Sequence, residues 1–212
     1  MPTSRSYGEA CGIARALDVV GERWALLVVR ELLLGPQRFS DLRAALPGAS
    51  SNLLTDRLRE LAAREVLSRR KLAPPAGSWV YELTEWGREL EPILLALGGW
   101  GLRVPRDEAA TLNATSMMLF LRGSGKPDPA LPPTAYRVEL AESVWTVRAA
   151  DGAVHVERGE PSAPAAGIST DPVTFNALFE DPDALAAQVD AGTVRTSGDR
   201  AALDRLLRSV GA

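Results

Sequence analysis

The sequence predicts two domains in tandem, a mainly α-helical domain over residues 1–104 and an α+β domain over residues 105–212. Three observations lead there. The chain has 212 residues, and a length in that range suits two cores of about a hundred residues each better than one. The apolar pattern changes along the chain from a helical period to short alternating runs. The charge also divides unevenly: residues 1–104 hold 14 Lys/Arg against 12 Asp/Glu, a net +2, whereas residues 105–212 hold 10 against 15, a net −5.

In the first half, "GIARALDVV" puts Ile13, Ala16, Leu17 and Val20 at helical spacing. "ERWALLVVRELLLG" continues as a second, strongly apolar helix closed by Gly35-Pro36, which belongs at the centre of the core. "RFSDLRAALPG" predicts a short helix with Ser40 as N-cap, stopped at Pro47-Gly48. A longer helix follows in "GASSNLLTDRLRELAARE", with Ser50 as N-cap. Leu54, Leu58 and Leu61 fall on one stripe of it, and Asn52, Thr55, Asp56 and Arg59 on the far side. "VLSRRKL" and "SWVYELT" are β-like segments joined by "APPAG", a hairpin with a protruding tip. Thr84 caps "TEWGRELEPILLALGGWG", where Leu90, Ile93, Leu94 and Leu97 form an apolar stripe and Pro92 predicts a kink.

"RVPRDEAAT" reads as the linker, and "ATLNATSMMLFLRG" beyond it as a helix. "YRVEL", "SVWTVRAADGAVHVERG" and "AAGIST" give short strands, with Asp151-Gly152 as a hairpin turn. "DPVTFNALFE" and "DPDALAAQVDAG" both open with Asp-Pro, an N-cap followed by proline at the first helical position. "TVRTSG" is a last strand and "DRAALDRLLRSV" a last helix.

Composition excludes several classes. Apolar residues make up 46% and charged residues 24%, the balance of a globular protein, and no run is long enough to span a membrane. The start, "MPTSRSYGEACG", lacks the apolar core of a secretory signal, so the expected location is the cytoplasm. One cysteine and one histidine leave no intramolecular disulfide and no zinc site, and neither metal nor cofactor is expected. Nor is an enzyme. "GSGK" at 123–126 has Phe120 where a P-loop needs its first glycine and Pro127 where it needs Ser/Thr, and His155 lies in an alternating strand without a nucleophile to serve. Asn113-Ala114-Thr115 matches a glycosylation sequon, which has no meaning in the cytoplasm.

A helix, a turn and a second helix with an outward polar face, followed by a basic hairpin, form the winged-helix arrangement for entering DNA. Asn, Ser, Thr and Arg side chains near the start of such a helix can read base edges or hold phosphates, and Arg69, Arg70 and Lys71 would bring the wing onto the backbone. A solvent-facing amphipathic helix satisfies the same periodicity. The stretch from Tyr7 to Leu61, then "YELTEWGREL" and "LGGWG", resembles the HxlR family of winged helix-turn-helix regulators over residues 7 to 102. The carriers are Cys11, the Gly21 to Trp24 block, Arg38-Phe39, Asp41-Leu42, Leu54 to Leu58, Tyr81, Leu83, Thr84 and Gly87.

That resemblance implies a homodimer that binds double-stranded DNA, usually as a repressor, and dimerises through its terminal helices. It places Ser51, Asn52, Thr55 and Arg59 on the recognition helix with Ser50 at its start, and Arg70 and Lys71 on the wing. Leu54, Leu58 and Trp24 belong to the core, and Arg57 holds either a phosphate or an internal carboxylate, the latter favoured. Cys11 has two readings: a thiol of lowered pKa near a helix start, able to form a disulfide as some relatives do when sensing oxidants, or a small residue buried at the dimer interface.

The second half, "VWTVRAADGAVHVERGEP" through "AGTVRTSGDRAALDRLL", resembles the sterol-carrier-protein type of lipid-binding domain, carried by Gly192, Val194 and Gly198-Asp199. The resemblance implies helices laid over a curved sheet with an apolar tunnel between them. Met117, Met118, Phe120, Trp145, Phe175, Leu178 and Phe179 are the candidate lining residues for a small hydrophobic ligand, and as plain core residues they would serve the fold equally. The reading that follows is a DNA-binding regulator with a possible effector module. The alternative is a hydrophobic-ligand carrier whose winged helix only dimerises.

Overall fold

The computed structural model describes residues 6–73, 77–105 and 110–210. The chain divides into two units, residues 1–105 and 106–212. Residues 74–76 of the expected hairpin tip and 106–109 of the expected linker lie outside the described residues.

The first unit runs α1 (Gly12–Val20), α2 (Ala25–Leu32), α3 (Phe39–Ala45), α4 (Ser51–Ala63), β1 (Leu67–Lys71), β2 (Trp79–Leu83), α5 (Glu85–Arg88) and α6 (Leu90–Gly101). Its core is built around α2, where Val28, Val29 and Leu32 meet Leu42, Leu54, Leu58 and Leu61 from α3 and α4. The apolar segment expected to be central is central. It starts later than its pattern, because Trp24 takes a left-handed backbone with φ 77° and only then does α2 begin. Such a φ is uncommon for a large side chain. Packing accounts for it: the Trp24 ring fills the space above Gly48, where a Cβ would lie 2.7 Å from its Cη2 atom.

Two local expectations are corrected. Ser40 does not cap α3. The cap is Arg38, whose backbone N–H donates to Asp41 Oδ2 at 3.1 Å, while Ser40 sits inside the first turn and donates to Asp41 Oδ1 at 3.0 Å. The carboxylate at the third helical position thus sets the start. The helix after Thr84 is also broken rather than kinked at Pro92. Thr84 Oγ1 does cap it, accepting from Gly87 N at 3.0 Å, but α5 ends at Arg88 and α6 begins at Leu90. Pro92 has no N–H for the carbonyl of Arg88, so the interruption falls one turn ahead of the ring.

The expected apolar stripes fare differently. On α4, Leu54, Leu58 and Leu61 are all buried. On α1 only Ala14 and Val20 are buried, while Ile13, Ala16 and Leu17 are exposed. On α6 no residue is buried: Leu90 and Leu94 are half-buried, and Ile93 and Leu97 are exposed.

In the second unit, α7 (Ala114–Ser124) precedes β3 (Thr134–Leu140), β4 (Ser143–Ala150), β5 (Ala153–Arg158) and β6 (Ala166–Thr170). Then come α8 (Pro172–Glu180), a 3₁₀ turn at Pro182–Ala184, α9 (Leu185–Asp190), β7 (Arg195–Gly198) and α10 (Arg200–Arg208). The sheet order is β5-β4-β3-β6-β7, antiparallel except for the β3–β6 pair. The Asp151-Gly152 turn has φ 51° and 74°, the double positive pair that suits a two-residue hairpin. In register, Tyr136, Val138, Trp145, Val147, Val154, Val156 and Ile168 share the buried face, which α7 and α10 cover. Arg137, Thr146, Arg148, His155 and Glu157 share the other. Asp171 caps α8 as expected, accepting from Val173 N at 2.8 Å and Thr174 N at 2.9 Å. Asp181 makes no such bond, and its Asp-Pro opens the 3₁₀ turn instead of an α-helix.

Candidate nucleic-acid interface

The buried leucines of α4 fix which of its sides faces outward. Ser50 Oγ accepts from Leu53 N at 3.3 Å and so closes the helix start, as its position demands. Ser51 is half-buried, whereas Asn52, Thr55 and Arg59 are exposed together on the far side. Thr55 Oγ1 donates back to Ser51 O at 2.8 Å, and Arg59 Nη1 lies 3.2 Å from Asp56 Oδ1. Arg57 takes the internal role. It is buried, with Nη1 2.6 Å from Glu60 Oε2 and 3.7 Å from Glu22 Oε2.

A groove of about 880 Å³ opens beside this helix start. It is bounded by Phe39, Ser40, Arg43 and Ala44 of α3 and by residues 47–51. Arg43 and Ser40 therefore stand next to Ser50 and Ser51, a grouping that sequence reasoning missed. Its signal was available in the spacing of α3 and α4 across a short turn.

The hairpin lies in register Leu67↔Leu83, Arg69↔Tyr81, Lys71↔Trp79, so Arg69 and Lys71 share a face with two aromatic rings. The Arg69 guanidinium sits 4.6 Å above the Trp79 ring and 5.8 Å from that of Tyr81. Arg70 belongs to the opposite face, where its Nε lies 2.8 Å from Glu82 Oε2. Tyr81 is held on its other side by Gln37, with backbone bonds of 3.0 and 2.8 Å.

This is the geometry of a helix-turn-helix followed by a wing, and residues 19–108 match the family model described as HxlR-like helix-turn-helix. The uncharacterized HTH-type transcriptional regulator YvaP of Bacillus subtilis is 40% identical over 86 residues, covering 41% of this chain and 80% of that protein. The chain belongs to the HxlR-like helix-turn-helix family. The uncharacterized HTH-type transcriptional regulator MT3179 of Mycobacterium tuberculosis is 39% identical over 110 residues, 51% of this chain and 68% of that protein. Among solved structures, the redox regulator HypR in its oxidized form aligns at 35% identity over 46% of this chain and 99% of that one, with a TM-score of 0.42. The family model covers residues of the first unit and ends at 108, so the HxlR-like assignment speaks for that unit.

Outside the helix and wing of this HxlR-like unit, Cys11 is exposed at the start of α1. Backbone N–H groups of Ala14 and Ile13 point at its sulfur and hold the thiol pKa below its ordinary value. In the second unit, six of the seven candidate lining residues are buried, and Phe120 is 38% exposed. Phe175 and Phe179 of α8 meet edge to face at 4.7 Å, and Phe120 of α7 approaches Phe179 at 6.1 Å. Trp145 lies under the Arg158 guanidinium at 4.0 Å, with Arg158 Nη2 donating to Thr115 Oγ1. The "GSGK" segment is the end of α7, where Gly125 bridges to Val210. Among the described residues, no helix is long and apolar enough to cross a membrane.

Proposed function

We propose that the chain is a homodimeric DNA-binding transcriptional regulator, a repressor, whose second unit takes a small hydrophobic ligand that alters operator affinity. The observation that carries the DNA reading is α4. Its leucine stripe is anchored in the core, its start is capped by Ser50, and Asn52, Thr55 and Arg59 are left exposed beside a wing bearing Arg69 and Lys71. Side chains so fixed can enter a major groove without reordering, while the wing meets the phosphates. The relatives' description as HTH-type transcriptional regulators supports this reading.

The dimer reading rests on the open stripes. Trp100 is 65% and Leu102 78% exposed at the end of α6, Ile13 is 73% exposed on α1, and these two helices bound a groove of about 630 Å³. Exposed apolar side chains on α1 and α6 suit a second copy related by a two-fold axis. The aromatic cluster of α7 and α8 supports the sterol-carrier-like reading of the second unit.

Selection of binding sites from random duplexes tests the proposal. The expected outcome is a pseudo-palindrome with half-site centres about one helical turn apart, roughly 10 base pairs or a multiple of it. Absence of any preferred sequence, together with binding of apolar ligands, would return the chain to the carrier reading.

A further inference from the structure

The wing carries three consecutive cations, and the structure treats them differently. Arg70 is held by Glu82 across the strands at 2.8 Å, a carboxylate that cancels its charge. Arg69 is held by two ring faces, at 4.6 and 5.8 Å. A ring face orients a guanidinium without neutralising it, so the N–H groups at its rim stay available to an anion. Lys71 shares the Arg69 face and lies opposite Trp79, itself half exposed. The platform beneath is rigid, because Tyr81 is bonded through its backbone to Gln37 as well as to β1.

We propose that Glu82 is a built-in charge brake on the wing: it holds Arg70 out of the phosphate contacts, leaves those to Arg69 and Lys71, and sets DNA affinity below what three cations would give. The argument rests on the DNA-binding reading above and deepens it. The salt dependence of binding counts the phosphates that protein cations neutralise, because each neutralised phosphate releases counterions condensed on the DNA. Swinging Arg70 onto a phosphate would strand the Glu82 carboxylate beside the same backbone, so the pair contributes no net charge. Arg69 has no such penalty, since leaving or keeping its rings changes no charge.

The test is fluorescence anisotropy of a labelled random-sequence duplex with the full-length protein, comparing affinities at about 50 and 200 mM salt, an interval over which one phosphate contact is worth roughly 3.5-fold. Against the unaltered chain, the loss of affinity over this interval should be about 3.5-fold smaller in Arg69→Ala, smaller too in Arg70→Gln, which leaves the Glu82 carboxylate unpaired beside the backbone, and about 3.5-fold larger in Glu82→Gln, where Arg70 is released. In the double variant Arg70→Gln/Glu82→Gln the gain should vanish. A double variant whose salt dependence departs from that of the unaltered chain, or no gain in Glu82→Gln, overturns the brake while leaving the DNA reading intact. No salt-dependent binding by the unaltered chain overturns both. A purely structural Arg70–Glu82 pair would weaken binding in both single variants, so the rise expected in Glu82→Gln separates the two roles.

Discussion

Helices α4 and α6 are of nearly equal length and carry apolar stripes of the same helical period, yet the chain buries one and covers only Leu90 and Leu94 of the other, leaving Ile93 and Leu97 exposed. Leu54, Leu58 and Leu61 close against α2 and α3, whereas α6 has no buried residue and ends in the exposed Trp100 and Leu102. The difference teaches that a stripe states only that something covers it. On α4 the cover is the chain's own core, and the polar side is thereby fixed outward for a partner of another kind. On α6 the proposed cover of the exposed half is a second copy. Three glycines near its end, Gly98, Gly99 and Gly101, have nothing within 4 Å of where a Cβ would stand, so no contact among the described residues requires them.

Leu54→Ala removes a side chain with no exposure from the core and should cost about 2–5 kcal/mol in urea unfolding; a cost under about 1 kcal/mol would mean that the α4 stripe is not core at all. Trp100→Glu places a charge on the open stripe and should weaken dimerisation by about 2–4 kcal/mol, roughly 30- to 1000-fold in sedimentation, while the helical circular dichroism is kept. Retention of the dimer by that variant would move the interface elsewhere. Gly48→Ala drives a methyl group to 2.7 Å from Trp24 and should destabilise by about 1–3 kcal/mol, whereas Gly98→Ala should stabilise the isolated helix or disturb only the dimer. Thermal unfolding of the two variants side by side reads this contrast. Ser50→Ala loses the cap of α4 and should cost about 1 kcal/mol, seen as a small shift in the unfolding midpoint with a larger loss in DNA affinity.

Much of the first unit was legible because its signals are local. The Ser50 and Thr84 caps, the α4 stripe and the hairpin each follow from residues within a few positions of one another. Misreadings came where a side chain answered to something further off. Ser40 looked like a cap, but Asp41 took the start of α3 for Arg38. Arg70 lies on the wing as expected, and the strand register adds a partner, Glu82, that no local pattern announced. Asp181 looked like Asp171, yet no N–H of the 3₁₀ turn reaches its side chain. In the second unit, the sequence named the strands but not the parallel β3–β6 pairing, since the two strands are separated by the β4–β5 hairpin.

By itself the sequence determined the helical and alternating periods, the caps at Ser50, Thr84 and Asp171, the turn at Asp151-Gly152 and the family to which the first unit belongs, because these depend on neighbours along the chain. Tertiary structure alone decided which stripes are covered, that Trp24 fills the space over Gly48, and that Glu82 pairs with the half-exposed Arg70. Those outcomes depend on which surfaces meet in space. Burial and charge pairing act between groups distant in sequence, and a one-dimensional pattern specifies the faces to be covered without naming what covers them.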